Sequence, residues 1–512
     1  MKRFLIGTDI GTSGTKSILV DLEGNILGKS LQQYGVLTPY PSWAEQWPQE
    51  WINATYKTIN EVVKKSRVNP EEIGGICISG LFAGSGVPVD ENFEPVRPAI
   101  IWMDRRAQHE SEYVEKIVGE KLFEVTGNRN DAYFGFSKIL WIKNNEPEKW
   151  NRIKMFLPSN SYAVYKITGN ITIDYTAAAN IGGIYNLTEN DWAYDLMHAM
   201  GIPESMMPKD FYAPQEIAGY VTKEASEKLG VHEGVPVCAG CTDCLASTLA
   251  AGALNAGDQV AVIGTSINWG VLHKDFPKNK MCVTMPYVIE PKKMYYTYGG
   301  ASTAGALTKW FKENFASYTF LDGKIEETDF EILTEEAGKI KPGSDGLIIL
   351  PYFMGERTPI WDSKAKGTVF GLTLHHNRGH FFRALLESSA YSLRHIIECS
   401  DINLNDNSKC VITGGVTGSR LWMQIFADVT GMPIICTRGN VQAPLGDALV
   451  AGVATGLIKD YSVINDWTKH EEPIYPDEKK HAIYDEYFQI YKDLYLSLKG
   501  NMKRLADISS SL

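Results

Sequence analysis

Short apolar runs and amphipathic segments alternate along the first 240 residues of the chain. Residues 75–80 form a β-branched run that ends in glycine, which predicts a strand leading into a loop. Residues 51–63 carry apolar side chains at helical spacing, which predicts an amphipathic helix. Strands that alternate with helices in this way predict an α/β fold.

A glycine-rich segment, Gly-Thr-Asp-Ile-Gly-Thr-Ser-Gly-Thr-Lys at residues 7–16, lies between apolar runs at residues 4–6 and 18–20. The pattern predicts a β-hairpin whose tip offers N–H groups, hydroxyls and one cation to a phosphate. A carboxylate at Asp9 is tolerable there only if a metal or water shell offsets the repulsion. Walker loops and dinucleotide fingerprints are excluded because they need a helix after their glycines. A glycine-rich hairpin without a ligand remains the alternative.

The same pattern of strand, Gly-Thr-Ser turn and strand occurs again at residues 259–272. Two such hairpins predict two similar domains that each contribute one loop to the same phosphate chain. A chain of 512 residues is also too long for a single hydrophobic core. We expect an N-terminal domain at residues 1–245 and a C-terminal domain at residues 246–512.

Charge and cysteine usage narrow the classes of partner. The net charge of −11, from 50 basic and 61 acidic residues, argues against binding to nucleic acid or to an anionic membrane. No apolar run approaches the roughly 20 residues of a membrane helix. Eight scattered cysteines favour reduced thiols in the cytoplasm. The three at positions 238, 241 and 244 lack a second cluster, so buried thiols are favoured over a zinc site.

Several separated motifs resemble the FGGY family of carbohydrate kinases, within the actin-like ATPase superfamily. They are the hairpin at 7–16, Thr-Asp at 242–243 with the second hairpin at 264–266, Tyr-Phe-Met-Gly-Glu-Arg-Thr-Pro at 352–359, Gly-Gly-Val-Thr-Gly-Ser-Arg at 414–420, and Leu-Gly-Asp-Ala at 445–448. Their order and spacing span about residues 4–460. The resemblance implies two actin-like (ribonuclease H-like) ATPase domains with a cleft between them. It also implies phosphorylation of a sugar or polyol hydroxyl by ATP with Mg²⁺.

The resemblance assigns roles to individual residues. Asp243 matches the catalytic base, which accepts the proton of the attacking hydroxyl and lies near the metal. Asp9 matches the aspartate that contacts Mg²⁺ through water. The predicted nucleotide-binding residues are Gly11, Thr12, Ser13 and Lys16 in the first phosphate loop, Gly264 and Thr265 in the second, and Gly305, Gly414, Gly415 and Ser419 around the adenosine.

The expected substrate-binding residues lie in the N-terminal half. Trp102, Asp104 and Arg105 follow a predicted strand at 98–100, at the end where α/β proteins bind ligands. Tyr133 lies in an Asp-Ala-Tyr-Phe segment that resembles the Asp-Pro-Tyr-Phe of glycerol kinases, and Thr242 precedes the base. Trp102, Asp104, Arg105 and Tyr133 could equally be surface loop residues.

The motifs indicate the type of reaction more precisely than the identity of the sugar. Residues 81–86, Leu-Phe-Ala-Gly-Ser-Gly, lack both the Gln-Met-His-Gly segment usual in xylulokinases and the Arg-Glu pair of glycerol kinases. A ketopentose such as xylulose is the first expectation, with glycerol, other polyols and gluconate as alternatives. An actin-like ATPase and a sugar sensor without kinase activity are the alternatives from other classes. If the chain forms an oligomer, we expect a homodimer.

Overall fold

A computed structural model describes residues 2–81, 84–321, 324–327, 329–404, 408–437 and 442–510. The chain forms two compact units, each assembled from separate segments. The first comprises Met1–Ala256, Leu272–Tyr296 and Val441–Lys469, and the second comprises Gly257–Val271, Thr297–Asn440 and His470–Leu512. Within the described residues, none of the helices combines the length and the apolar character needed to span a bilayer.

The helices and strands alternate through both units, which confirms the α/β prediction. The strands are β1 Phe4–Ile10, β2 Gly14–Asp21, β3 Ile26–Gln33, β4 Glu45–Gln46, β5 Ile73–Gly80, β6 Val87–Val89, β7 Ala99–Ile100, β8 Met155–Leu157, β9 Ile173–Asp174, β10 Tyr185–Asn186, β11 Asp191–Trp192, β12 Phe211–Tyr212, β13 Ile217–Tyr220, β14 Pro236–Cys238, β15 Cys241–Thr242, β16 Gln259–Ile263, β17 Ile267–His273, β18 Val283–Pro286, β19 Tyr295–Ala301, β20 Tyr318–Leu321, β21 Lys324–Glu327, β22 Ile348–Leu350, β23 Thr368–Phe370, β24 Cys410–Thr413 and β25 Ile434–Cys436. The α-helices are α1 Pro48–Ser66, α2 Gln108–Ile117, α3 Gly119–Thr126, α4 Gly135–Asn145, α5 Pro147–Trp150, α6 Ser159–Thr168, α7 Tyr175–Ile181, α8 Tyr194–Met200, α9 Lys223–Leu229, α10 Asp243–Ala250, α11 Gly305–Phe315, α12 Phe330–Gly338, α13 Arg378–Ser400, α14 Arg420–Thr430, α15 Ala443–Ala454, α16 Ile464–Trp467 and α17 Glu478–Ser510.

The main sheet of the first unit is built around the N-terminal hairpin. Its strand order is β13–β14–β5–β1–β2–β3, with β15 also paired to β5. Strands β1 and β2 are antiparallel, whereas β1 and β5 are parallel. The predicted hairpin, the strand at 75–80 and the helix at 51–63 are therefore confirmed.

The second unit repeats this arrangement. Strands β16 and β17 form an antiparallel hairpin, β24 pairs parallel to β16, and β25 pairs parallel to β24. In the first unit, the hairpin is likewise followed by the parallel strands β5 and β14. The repeat that the second Gly-Thr-Ser turn predicted is confirmed at the level of strand pairing.

Helix α15 packs in the first unit although it comes late in the sequence. A Cβ atom on Gly7 of β1 would lie 1.8 Å from the carbonyl oxygen of Pro444 in α15. A Cβ atom on Gly446 would lie 2.1 Å from the carbonyl oxygen of Ala246 in α10. The two glycines thus allow close backbone contact. The structure groups Leu272–Tyr296 and Val441–Lys469 with the first unit, whereas the sequence predicted a C-terminal domain of 246–512. Contacts between residues distant in the sequence decide this grouping, and chain order does not show them.

We expect the substitution Gly7→Ala to destabilise the first unit. The added methyl group would overlap backbone atoms of α15, which must then move, and overpacking of this kind costs roughly 1–3 kcal/mol or more. The midpoint of thermal unfolding should fall relative to wild type. Gly35→Ala is the control, since a Cβ atom added at position 35 would have no heavy atom within 4 Å. Equal midpoints for the two variants would contradict the close contact between β1 and α15.

Candidate active site

The first hairpin places Asp9 opposite Lys16. The two residues are register partners on β1 and β2. Asp9 is buried, and its Oδ1 has no hydrogen-bond partner among the described residues. The turn between the strands is fixed by two side chains from outside it. Tyr34 Oη donates to the carbonyl oxygen of Gly11 at 2.7 Å, and Gln46 Nε2 donates to that of Thr12 at 2.8 Å.

Asp243 is the first residue of α10 and directly follows β15, which pairs with β5 beside β1. Its Oδ1 accepts a hydrogen bond from the backbone N–H of Cys244 at 2.6 Å. Burial and the negative charge of Asp9 raise the pKa of Asp243 to about 8. Burial raises the pKa of Asp9 to about 6, although Lys16 acts in the opposite direction. The first unit therefore brings the two predicted aspartates together as an interacting pair of carboxyl groups.

A third carboxyl group, Asp447 on α15, belongs to the same cluster. It is fully buried and accepts a hydrogen bond from Ser79 Oγ on β5 at 2.8 Å. Burial and the negative charges of Asp9 and Asp243 raise its pKa well above the usual value. The Leu-Gly-Asp-Ala motif marked this position in the sequence, but nothing local indicated that α15 would return to β1 and β5.

This donor set fits a divalent cation. Carboxylate oxygens are the protein ligands that Mg²⁺ prefers. Burial raises the pKa of Asp9, and burial together with the negative charge of Asp9 raises the pKa of Asp243. A bound cation would favour the charged form of both carboxyl groups and so lower both pKa values. The unpartnered Oδ1 of Asp9 leaves one acceptor available to a metal or to its water shell.

We expect Asp243→Asn to stabilise the protein increasingly as the pH rises, in the absence of Mg²⁺ and nucleotide. The pKa of Asp243 is raised from 3.8 to about 8 on folding. Between these values the folded protein keeps a proton that the unfolded chain loses, so wild-type stability falls with rising pH. Asparagine does not titrate, and the difference in unfolding midpoint between variant and wild type should grow from pH 5 to pH 8. A difference that is constant or shrinks with pH would contradict the raised pKa.

Three of the predicted sugar-binding residues lie together next to the hairpin. Trp102 Nε1 donates to Thr12 Oγ1 at 2.9 Å. The rings of Trp102 and Tyr133 are edge to face with centroids 6.4 Å apart. The guanidinium of Arg105 lies 5.3 Å from the centre of the Tyr133 ring and pairs with Asp131 at 2.5 Å. The segment with the predicted sugar-binding residue Trp102 therefore adjoins the hairpin turn with the predicted phosphate-binding residue Thr12, within one unit.

Asp104 does not fit its predicted role as a direct sugar contact. Its side chain is fully buried and pairs with Arg106, with Nη2 to Oδ2 at 2.7 Å. Its Oδ2 also accepts the backbone N–H of Ala44 at 2.6 Å. Because these bonds occupy the carboxylate, Asp104 fixes the conformation of the loop that carries Trp102. Sequence alone could not separate a buried carboxylate from an accessible one.

Lys138 on α4 is a further residue of this region, and no sequence motif marks it. It is completely buried, and its Nζ donates to the carbonyl oxygen of Tyr133 and to that of Trp102, the latter at 3.5 Å. Burial lowers its pKa to about 7. Lys138 thus connects the backbones of the two aromatic residues proposed to contact the sugar.

Thr242 is buried in β15, and its backbone N–H donates to Thr176 Oγ1 at 3.0 Å. It lines a small cavity together with Leu81 and Gly84. These two residues belong to the segment in which the sequence departs from xylulokinases and glycerol kinases. Phe82 and Ala83 of that segment lie outside the described residues.

A larger cavity, of about 960 Å³, lies in the second unit. Of the predicted nucleotide-binding residues, its lining includes Gly264, Thr265, Gly305, Gly415 and Ser419. Gly305 approaches the second hairpin closely, with its N–H donating to the carbonyl oxygen of Gly264 at 2.9 Å. A cavity of this size is large enough for a nucleoside.

Gly414 supports the wall of this cavity through its backbone conformation. Its φ of +113° lies in a region that L side chains rarely adopt, and an added Cβ would lie 2.2 Å from the carbonyl oxygen of Ile263. Ser419 caps α14 by accepting the N–H of Trp422 at 3.4 Å. The Gly-Gly-Val-Thr-Gly-Ser motif therefore forms a tight turn between β24 and α14.

Comparison with known proteins decides the family. The model of the N-terminal domain of the FGGY family of carbohydrate kinases matches residues 4–250, and that of the C-terminal domain matches residues 259–455. The chain belongs to the FGGY family of carbohydrate kinases. The FGGY resemblance of the motifs is thereby confirmed, as is the expectation of a phosphotransferase that acts on a sugar.

Relatives of this FGGY kinase carry more than one substrate name. The chain is similar to a xylulose kinase of Lactococcus lactis, with 30% identity and 96% of each chain covered. It is 28% identical to a gluconokinase of Bacillus subtilis, over 100% of this chain and 99% of the relative. The crystal structure of a xylulose kinase from Rhodospirillum rubrum matches with a TM-score of 0.89 and 28% identity, over 98% of this chain and 100% of that one. The two-domain actin-like fold of this family is thus confirmed for the chain.

Proposed function

We propose that this FGGY kinase transfers the γ-phosphoryl group of ATP to a hydroxyl group of a ketopentose, with xylulose as the first candidate. The observation that carries the proposal is that the carboxyl groups of Asp9 and Asp243 lie close enough to interact electrostatically. In the same unit, Trp102 is hydrogen-bonded to Thr12. Two relatives of the chain, one of them with a solved structure, are named xylulose kinases.

In this proposal Asp243 accepts the proton of the attacking hydroxyl. A general base works best when its pKa lies near the operating pH, and the raised pKa of Asp243 suits that task. A sugar hydroxyl is a poor nucleophile at neutral pH, so alignment and charge neutralisation carry most of the rate enhancement. Lys16 and the hairpin tip, with Gly11, Thr12 and Ser13, would bind phosphate oxygens.

Asp9 and Asp243 are the residues that would hold Mg²⁺. When bound, the ion would neutralise charge on the phosphate oxygens of ATP. Asp9 would contribute the carboxylate oxygen that has no partner among the described residues. Asp447, hydrogen-bonded to Ser79, would support the cluster from α15 without contacting the nucleotide.

The cavity of the second unit would bind the adenosine of ATP. Its glycines at 305 and 415 allow close approach of the flat base, and Ser419 offers a hydroxyl. Gly264 and Thr265 would supply the second phosphate contact from the tip of the β16–β17 hairpin.

The proposed reaction makes a small sugar the expected partner. The compartment and the oligomeric state stay predictions. All eight cysteines are free, which supports a reducing compartment such as the cytoplasm. The homodimer also stays a prediction. The actin-like ATPase and the silent sugar sensor are disfavoured, because the proposed base and metal-binding carboxylates are both present.

A panel of sugars tests the proposal. Formation of ADP from Mg-ATP would be measured with xylulose, ribulose, glycerol, gluconate and no sugar. We expect xylulose or a close ketopentose to give the highest kcat/KM, with little turnover when no sugar is present. The highest value with glycerol or gluconate would replace the ketopentose by that alternative. ATP turnover that is independent of every sugar would contradict the kinase proposal.

A further inference from the structure

A small cavity of about 30 Å³ lies in the first unit, and its wall includes Thr242, the residue that precedes Asp243. Thr242 forms part of its wall, together with apolar side chains such as Trp51, Leu81 and Ile101. A single water molecule needs roughly 10–15 Å³. The cavity therefore has room for one or two oxygen-sized groups and excludes a complete sugar.

Asn180, near the C-terminal end of α7, lines this cavity and has no polar partner among the described residues. The residue is 3% exposed, and neither Oδ1 nor Nδ2 of its side chain makes a hydrogen bond with any of the described residues. The other hydroxyl groups on the wall are occupied. Ser159 Oγ donates to the carbonyl oxygen of Leu81 at 3.2 Å, and Thr242 Oγ1 contacts Met285 Sδ at 3.7 Å.

The unpaired amide of Asn180 contrasts with another buried asparagine of this chain. Asn128, which is equally buried, accepts the N–H of Thr284 at 2.8 Å and donates to the carbonyl oxygen of the same residue at 2.8 Å. Leaving both polar atoms of a buried amide unsatisfied costs folding free energy, and such groups call for a ligand or an ordered water. Asn180 thus carries two buried polar atoms that the described residues leave without a hydrogen bond.

The position of Asn180 connects it with sugar binding. The cavity wall includes Leu81, Gly84 and Gly86, from the segment where polar side chains of xylulokinases and glycerol kinases are absent. Asn180 reaches the same cavity from a different element, α7. Residues 84–86 of this chain carry no charged side chain that could bind a sugar hydroxyl. The amide of Asn180 can supply hydrogen bonds in their place.

The chemistry of the cavity selects a neutral group. An amide both donates and accepts hydrogen bonds, which matches a hydroxyl group or a pair of hydroxyl and carbonyl oxygens. No charged side chain is present among the described residues that line the cavity. The carboxylate of an aldonate would be buried there without a cation, which is strongly unfavourable.

We propose that Asn180 is a specificity-determining residue that binds the hydroxymethyl or carbonyl end of a neutral open-chain sugar. The inference rests on the proposed kinase function and deepens it by excluding aldonates such as gluconate as the preferred substrate. The rest of the sugar, with the hydroxyl that is phosphorylated, then extends out of the cavity past Thr242 toward Asp243.

Two variants test this role. Asn180→Ala removes the amide and leaves empty space. Asn180→Leu replaces the amide with an apolar side chain of similar size. An effect that both variants share therefore comes from the lost amide and not from a packing defect. We expect each to raise KM for xylulose roughly 10- to 100-fold, as expected for a lost hydrogen bond to a substrate hydroxyl, with KM for ATP unchanged. Thermal midpoints should equal or exceed that of wild type, because an unsatisfied amide is removed. Asn53→Ala, at an exposed position of α1, is the control and should change neither KM.

The outcomes separate the two proposals. Wild-type protein that phosphorylates no sugar in the panel would contradict the kinase proposal itself. Active wild-type protein whose KM for the sugar is unchanged in both Asn180 variants would overturn the inference alone, and the cavity would then hold only water. A wild-type preference for gluconate over xylulose, or a parallel rise in KM for ATP in both variants, would overturn it as well.

Discussion

Asp243→Asn is expected to lower kcat at least ~100-fold, with KM for sugar and for ATP changed only slightly, because general-base catalysis contributes roughly 10²–10⁴-fold in typical enzymes. Asparagine has nearly the same shape as aspartate but cannot accept the proton of the sugar hydroxyl. Burial and the neighbouring Asp9 make position 243 a poor site for a charge that has no function. Steady-state kinetics with saturating Mg-ATP would measure the loss, and equilibrium titration would check that the sugar still binds.

Asp195→Asn is the matched control for this substitution. Asp195 belongs to the same unit, and its side chain is 85% exposed in a surface pair with Lys121. It should leave kcat unchanged. Turnover of Asp243→Asn within a few-fold of wild type would remove Asp243 from the role of general base, whatever the control shows.

Gly415→Val is expected to raise KM for ATP roughly 10- to 200-fold, the range for a changed apolar contact in a binding pocket. Gly415 lines the cavity of the second unit, and no heavy atom lies within 4 Å of the position where its Cβ would be. A valine side chain can therefore be accommodated by the protein but would occupy space proposed for adenosine. KM for the sugar and the unfolding midpoint should stay close to wild type.

Gly35→Val provides the comparison, since position 35 is also open but belongs to an exposed segment of the first unit. It should not change KM for ATP. An unchanged KM for ATP in Gly415→Val would mean that adenosine binds elsewhere, and the proposed role of the Gly-Gly-Val-Thr-Gly-Ser turn would fail.

The hairpins and the helices were predictable because their signals are local. Glycines at a turn and β-branched residues on both sides determine a hairpin without help from distant residues, as in β1–β2 and β16–β17. The strand at Ile73–Gly80 and the helix at Pro48–Ser66 were predictable for the same reason. The position of Asp243 followed from its motif at the end of a short strand.

Long-range packing was not predictable in this way. Asp447 joins Asp9 only because α15 returns to β1, which depends on contacts between residues distant in the sequence, such as Gly7 with Pro444 and Ser79 with Asp447. The burial of Asp104 depends on Arg106 and on the backbone of Ala44. Asn180 and Lys138 carry no sequence motif. Their importance lies in buried polar atoms, and only the folded structure determines which of those atoms have partners.

The fate of the γ-phosphoryl group is the most direct measure of the proposed reaction. Phosphorus NMR of purified protein with Mg-ATP and xylulose should show one sugar phosphomonoester for each ADP formed, and neither product when the sugar is omitted. Release of inorganic phosphate in place of a sugar phosphate, at a rate that is independent of the sugar, would contradict transfer to a sugar hydroxyl.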